Sequence, residues 1–271
     1  MAVLNALRET PGALLRNPVV FVPVLVLMLF QAPQMVLQTV NPLLGSVVSL
    51  ALSLLFIFVT PFFQAGLIGM ADEALDGPTS IGRFLSAGKA NYVSVLVAYL
   101  VLVAVNFAVG FVVFVGAIFG GVALFGDASG GPGLAVLAVV GVVAAVGVLA
   151  YLLFVFFVQF YGQAIVVSGL DAVAALKHSV SVVRHHLLSA FGYSVLVGVF
   201  GAVAGGVFVL GASLATPQSP HLVAAPQGTL LGAVAVAALL AVVGSLFGSF
   251  FGVFSVAFYR RIDTGAGRET V

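Results

Sequence analysis

Long apolar runs separated by short polar stretches set the rhythm of this chain. Six runs, at roughly 19–40, 44–70, 92–125, 134–167, 188–214 and 229–258, carry no acidic or basic residue. A helix rising about 1.5 Å per residue crosses the hydrocarbon of a bilayer in about 20 residues, so each run predicts a transmembrane helix. The third and fourth runs exceed that length. They are expected to tilt, or to protrude on one side and break near Gly116, Gly120 and Gly121.

Three stretches between the runs have a different period. In 171–187, Val173, Leu176, Val180, Val183 and Leu187 recur by three and four, while Lys177, Ser181, Arg184 and His185 take another face. In 79–91, Ile81, Phe84 and Leu85 form a stripe with Arg83 and Lys89 off it. In 1–17, Val3, Leu4, Leu7, Leu14 and Leu15 do the same, broken at Thr10 and Pro11. A helix apolar on one side and basic on the other lies in the headgroup plane. The expected fold is therefore all-α: one membrane domain over 1–271, with six transmembrane helices and three cytoplasmic interfacial amphipathic helices.

Composition sharpens this picture. Hydrophobic residues make up 62% of the 271 and charged residues 6%, against about 25% charged in a soluble domain. Mean hydropathy is +1.30, so most of the surface faces lipid. The N-terminal stretch carries Arg8, Glu9 and Arg16 on a helical pattern, and the run after it is too long for a signal sequence, so it is expected to stay as a helix. The chain has no cysteine, which excludes disulfides and thiol chemistry. In a six-span threading Arg8, Arg16, Arg83, Lys89, Lys177, Arg184, Arg260, Arg261 and Arg268 all fall on one side, and the opposite connections hold only Asp127. The positive-inside bias then predicts a multi-pass protein of the cell membrane with both termini cytoplasmic.

The ends of alternate spans look alike. Gln64 to Asp72 and Gln163 to Asp171 are each eight residues apart and each begin Gln-Ala, and Ser255 stands eight before Asp263. This predicts three tandem units, at 1–72, 73–171 and 172–263, each an interfacial helix followed by a two-span hairpin of the same orientation. In the sixth span Gly244, Gly248 and Gly252 recur every four residues and form a groove for close helix packing. Gly201 with Gly205, and Gly116 with Gly120, repeat the pattern.

The candidate chemistry lies in carboxamides. Gln31, Gln34 and Gln38 share one face of the first span, and Pro33 between them frees the carbonyl of Leu29; Pro61 frees that of Ile57 in the second span. Two readings stand. The glutamines satisfy freed carbonyls and neighbouring helices, or they form a polar path with Gln64, Gln159 and Gln163 for a neutral solute or headgroup. The first is favoured because no acidic or basic group joins the set, and coupled transport ordinarily needs one. The same absence argues against a proton relay, a voltage sensor and a carboxylate selectivity ring.

Catalytic and metal signals are poor. Asp171, His178 and His185 share a stripe, but a heptad spans about 10.5 Å of helix, too far for one metal. No HExxH, GxSxG or Walker sequence occurs. Arg83, Lys89, Lys177, Arg184 and His185 are better read as contacts to lipid phosphates or to a partner. No cofactor is expected. The expected partners are membrane lipid, a soluble or membrane protein, or a second copy; nothing points to nucleic acid.

Asp171, Ala175, Leu176, Lys177, Ser179 and Arg184, with Tyr259-Arg260 closing the last span, form a pattern that resembles a known group. It is similar to the six-span membrane region of the glycerophosphoryl diester phosphodiesterase membrane-domain group and to related haloarchaeal membrane proteins. In that group the phosphodiesterase chemistry belongs to a separate soluble domain, so the resemblance implies an architecture and no activity. Seven arginines against two lysines would suit such a source. The expected function is a non-enzymatic integral membrane component, transport- or assembly-related, acting through a partner or lipid. The alternative is a self-sufficient facilitator for a neutral solute or lipid, and an intramembrane enzyme ranks last.

Overall fold

The computed structural model describes residues 2–125, 134–215 and 230–266, and among these all regular structure is helical. The order is α1 (Ala2–Arg16), a single 3-10 turn at Pro18–Val20, α2 (Phe21–Val40), α3 (Pro42–Asp76), α4 (Ile81–Phe125), α5 (Leu134–Val158), α6 (Tyr161–Val166), α7 (Ala172–His185), α8 (Leu187–Ala215) and α9 (Leu230–Ala266). Five helices are long and apolar enough to cross a membrane, and a sixth crossing is reached if α1 and the start of α2 count as one bent span. The chain is thus a multi-pass membrane protein by the length and apolarity of its helices. α1 and the start of α2 meet at 95°.

Side-chain burial is concentrated at one end. Phe160, Val253, Phe254, Phe258 and Tyr259 are completely enclosed, together with Met70 and Ala74 at the end of α3. The described acidic and basic residues gather at this same end, because α1, α7, the end of α3 and the end of α9 meet there. Away from it α5 stands apart, with every residue from 141 to 150 exposed, while α9 stays packed and buries Ala237, Leu240 and Ala241. Lipid tails solvate leucine and valine as well as protein does, so the apolar halves gain little by packing on each other.

Two expectations about the ends of helices are corrected. The stretch 79–91 is no separate interfacial helix: residues 81–91 begin α4, which runs unbroken through Gly116 to Phe125. At about 1.5 Å per residue its 45 residues reach about 67 Å, well beyond a bilayer core. The physical reason is its pairing with α3. Phe84 is buried on Gly66, where a Cβ would stand 2.8 Å from the Phe84 carbonyl oxygen, and Ala87 sits directly on Gly69. Of the apolar stripe of 79–91, Phe84 is therefore spent on α3, while Ile81 and Leu85 stay exposed. Likewise α1 continues through Pro11.

The joint between α1 and α2 is held by Asn17, which is 3% exposed. Its amide nitrogen donates to the carbonyls of Ala13, Ala74 and Gly77 at 3.1, 3.3 and 3.0 Å, and its carbonyl oxygen accepts from the Thr79 N–H at 2.9 Å. One carboxamide thereby closes the end of α3 and the turn into α4. A second polar clamp works at the break between α5 and α6, where Ser179 accepts from the Phe160 N–H at 3.1 Å and donates to the Phe157 carbonyl at 2.9 Å. These are backbone groups that the helix end leaves unpaired.

Asn17→Ala leaves the Thr79 N–H and the carbonyls of Ala74 and Gly77 without this partner, which costs about 1–3 kcal/mol. The apparent melting temperature in mild detergent should fall clearly, and an unchanged value would contradict the role given to Asn17.

Candidate functional site

Within the bundle, just above the charged end, lies a cleft of about 510 Å³ lined by residues of α2, α3, α4, α6, α8 and α9. Its floor and sides are apolar, with Phe63, Leu67, Val197 and Phe251 among them. Polar groups enter from several helices, and none of the lining residues is Asp, Glu, Lys, Arg or His. The cleft is thus a neutral polar site in apolar surroundings.

Most of these polar groups are held by others. The Tyr161 hydroxyl donates to Gln64 Oε1 at 2.8 Å. Gly162 allows this, since a Cβ there would lie 2.9 Å from Gln64 Nε2. Tyr193 stacks on Phe258, 4.7 Å between centroids at 10°, and its hydroxyl bonds Ser255, which donates to the Gly252 carbonyl at 2.9 Å. Two groups differ. The Gln163 side chain is 8% exposed, lines the cleft, and has no hydrogen-bond partner among the described residues. The Tyr99 hydroxyl lines the same cleft, also with no hydrogen bond among the described residues. A carboxamide and a tyrosine beside this space, without partners among the described residues, are available to a polar group that enters the cleft.

The predicted glutamines divide. Gln64 and Gln163 line the cleft, and Ser255, their counterpart eight residues before an aspartate, lines it with them. Gln159 does not: it accepts from Ser194 Oγ at 3.1 Å, while its own Nε2 is buried without a partner among the described residues. Gln31 is half-buried and lies outside the cleft wall, one turn beyond Leu27 on the same face of α2. The side chains of Gln34 and Gln38 lie outside the described residues. No glutamine side chain meets a proline-freed carbonyl among the described residues. Beside the Pro61 bend it is Tyr92 that donates, to the Phe58 carbonyl at 3.1 Å.

The glycine groove is only partly used. Gly248 meets Val24 of α2, where a Cβ would stand 2.8 Å from Cγ1. Gly244 is buried, and a Cβ at Gly252 meets nothing within 4 Å because Gly252 lines the cleft.

Below the cleft, ion pairs tie the helix ends together. Arg260 donates through Nε to Asp72 Oδ1 at 2.7 Å and grips Asp76 with two parallel bonds of 2.9 and 2.8 Å. Arg261 pairs with Glu9 at 2.7 Å. Asp263 accepts from Ser168 at 3.1 Å and meets His178 Nε2 at 2.7 Å. Asp171 caps α7 by accepting the Ala174 N–H at 2.8 Å, and His185 turns to the Ser181 carbonyl. The Asp171–His178–His185 stripe is thus divided among three separate tasks. No group of three or more metal-capable side chains occurs among the described residues.

The remaining basic residues meet no carboxylate among the described residues. Arg83 is half-buried and donates to the Gly69 carbonyl at 3.4 Å. Lys89 is exposed beside an apolar hollow formed by Phe58, Phe62 and Tyr92. Lys177 and Arg184 are exposed on α7.

A neutral polar cleft above a group of ion pairs, inside long apolar helices, defines a class: multi-pass helical membrane proteins with an internal cleft. Residues 1–262 match the family described as a domain of unknown function, DUF7847, and the chain belongs to that family. No curated protein and no solved structure matches it.

Asn17, Tyr99, Tyr161 and Tyr193 were not singled out in the sequence, and Ser179 stood only in the resemblance pattern, without its role as a clamp. The available signal was the presence of tyrosines near one end of otherwise apolar spans, where a hydroxyl needs a partner.

The Arg260 fork depends on its planar shape. Arg260→Lys keeps the charge but should lower the apparent melting temperature nearly as far as Arg260→Ala, each losing on the order of 1–3 kcal/mol of stability. Full stability in the lysine variant would show that charge alone suffices.

Proposed function

We propose that this protein is a non-enzymatic integral membrane component, transport-related, that works through membrane lipid by taking an uncharged polar group of an amphipathic molecule into the cleft. One observation carries the reading: Gln163 is enclosed by the bundle except where it lines the cleft, and its carboxamide lacks a partner among the described residues. A carboxamide offers two donors and an acceptor without charge, which matches hydroxyl, ester or amide groups. The Tyr99 hydroxyl adds one more, and the surrounding aromatic and aliphatic side chains suit a hydrocarbon portion.

In this reading the charged end faces the cytoplasm of a cell membrane, with α1 and α7 along the inner headgroup layer. The 95° turn between α1 and α2 and the exposed cations of α7 support that placement. The likeness to the phosphodiesterase-associated membrane region adds an architecture and no reaction. Lys177 and Arg184, exposed and without carboxylate partners among the described residues, favour a second reading, in which α7 docks a soluble protein.

The test is the mass of the intact particle purified in mild detergent. The wild-type chain should carry a bound amphiphile, and Gln163→Leu should lose most of it while eluting at the same volume. Equal retention in the variant would remove the cleft from the account. A stoichiometric soluble protein with no bound amphiphile would transfer the function to α7.

A further inference from the structure

The helical hairpins meet in a cyclic pattern. α1 packs on α9, the start of α4 packs on α3, and α7 packs on α5 and α6, so each leading helix rests on the end of another hairpin. The polar clamps follow the same cycle. The residue three before Asp263 is Arg260, which grips Asp72, and the residue three before Asp171 is Ser168, which donates to Asp263. At the corresponding place before Asp72 stands Gly69, which has no side chain to complete the round.

Between neighbouring hairpins this arrangement has three seams. α3 lies along α4, and α9 lies along α2. Both seams are closed by glycines: Gly66 and Gly69 receive Phe84 and Ala87, and Gly248 receives Val24. The third seam, between α5 and α8, is different. It is joined at its base by Ser194 and Gln159, and above that point it stands open. Gly198, Gly201 and Gly205 continue the face of α8 that carries Ser194, at helical spacings of four, seven and eleven. A Cβ at any of the three meets nothing within 4 Å. On the other side Val155 and Leu152 continue the face of α5 that leads to Gln159, and both are exposed.

The base of this seam adjoins the cleft. Gln163 follows Gln159 by one turn, and Tyr193 and Val197 flank Ser194, all three lining the cleft wall. At the charged end α7 bridges the gap, packing on α5, α6, α8 and α9. It exposes Lys177 and Arg184, which have no carboxylate partner among the described residues.

We propose that the α5–α8 seam is a lateral portal for a membrane phospholipid, whose hydrocarbon chain enters the cleft between the two helices while its uncharged linkage region reaches Gln163. The phosphate stays at the level of Lys177 and Arg184. Open hydrocarbon-lined space, a carboxamide that faces the cleft without a partner among the described residues, and cations on α7 together match the three parts of such a molecule. This rests on the reading of the cleft as a site for an uncharged polar group, and gives that site its route and ligand class.

The chain has no tryptophan, so one introduced tryptophan reports without background. Phe251→Trp places it in the cleft wall, and Phe111→Trp places a control on the lipid-exposed surface of α4. Both are reconstituted in phosphatidylglycerol vesicles whose chains carry bromine, a quencher that acts only at close contact. The proposal expects quenching of Phe251→Trp to approach that of the control. Adding Gly201→Leu and Gly205→Leu, which the open space accommodates without strain, should abolish it and leave the control unchanged.

Quenching that persists in the glycine variants would mean that the chain arrives by another route; the portal falls and the cleft reading stands. Absence of quenching with wild-type glycines overturns a lipid chain in the cleft, and retention of a bound amphiphile by mass then decides the cleft reading separately. A dimer lost on Gly201→Leu and Gly205→Leu would assign the seam to a second copy and overturn the portal.

Discussion

The grip of Arg260 on Asp72 and Asp76 is the contact on which the rest of the structure depends. It joins the end of the last long helix to the end of α3, over 180 residues away in sequence. Within lipid there is no hydrophobic gain from bringing apolar helices together. Order must therefore come from polar contacts at the end where water and headgroups begin. Arg261 with Glu9, Asp263 with His178 and Ser168, Asn17 with the end of α3, and Ser179 with the break after α5 all act at that level. The consequence is a bundle tied at one end, in which α2 with α9 and α3 with α4 stay paired while α5 stands apart from α8.

That uneven packing creates the site. Where the helices begin to separate, polar side chains from several of them face a common space with no acidic or basic residue in its wall. A charge there would carry a large desolvation cost. Carboxamides and hydroxyls carry less and still offer direction, so the site is suited to orienting an uncharged group. Tyr161 on Gln64 and Tyr193 on Ser255 fix parts of the wall. Gln163 and Tyr99 keep their polar atoms available.

Much of the architecture was legible in the sequence, because membrane crossing is written in the length of apolar runs. α1 and α7 were visible in their amphipathic stripes, and α7 ends within two residues of its expected limit. The eight-residue spacing that links Gln64, Gln163 and Ser255 to an aspartate picked out three side chains that the fold brings to one cleft. The fate of 79–91 was not legible. An apolar stripe is compatible with lipid or with another helix, and only the match of Phe84 and Ala87 to Gly66 and Gly69 decides it. Gln159 was grouped with the path glutamines for its residue type, but the turn after Val158 directs it to Ser194. Asn17 gave no local signal for its clamp, since Ala74, Gly77 and Thr79 lie about 60 residues on.

The most direct test of the whole account is a pair of distance distributions from spin labels in this cysteine-free chain. One pair, Leu54 with Val97, spans the closed seam between α3 and α4; the other, Leu152 with Val199, spans α5 and α8, and all four side chains are exposed. The account predicts a short, narrow distribution for the first pair and a longer, broader one for the second, in lipid nanodiscs. Equally short and narrow distributions would contradict it, because the seams would then all be closed and the clamp at the charged end would not set the shape of the bundle.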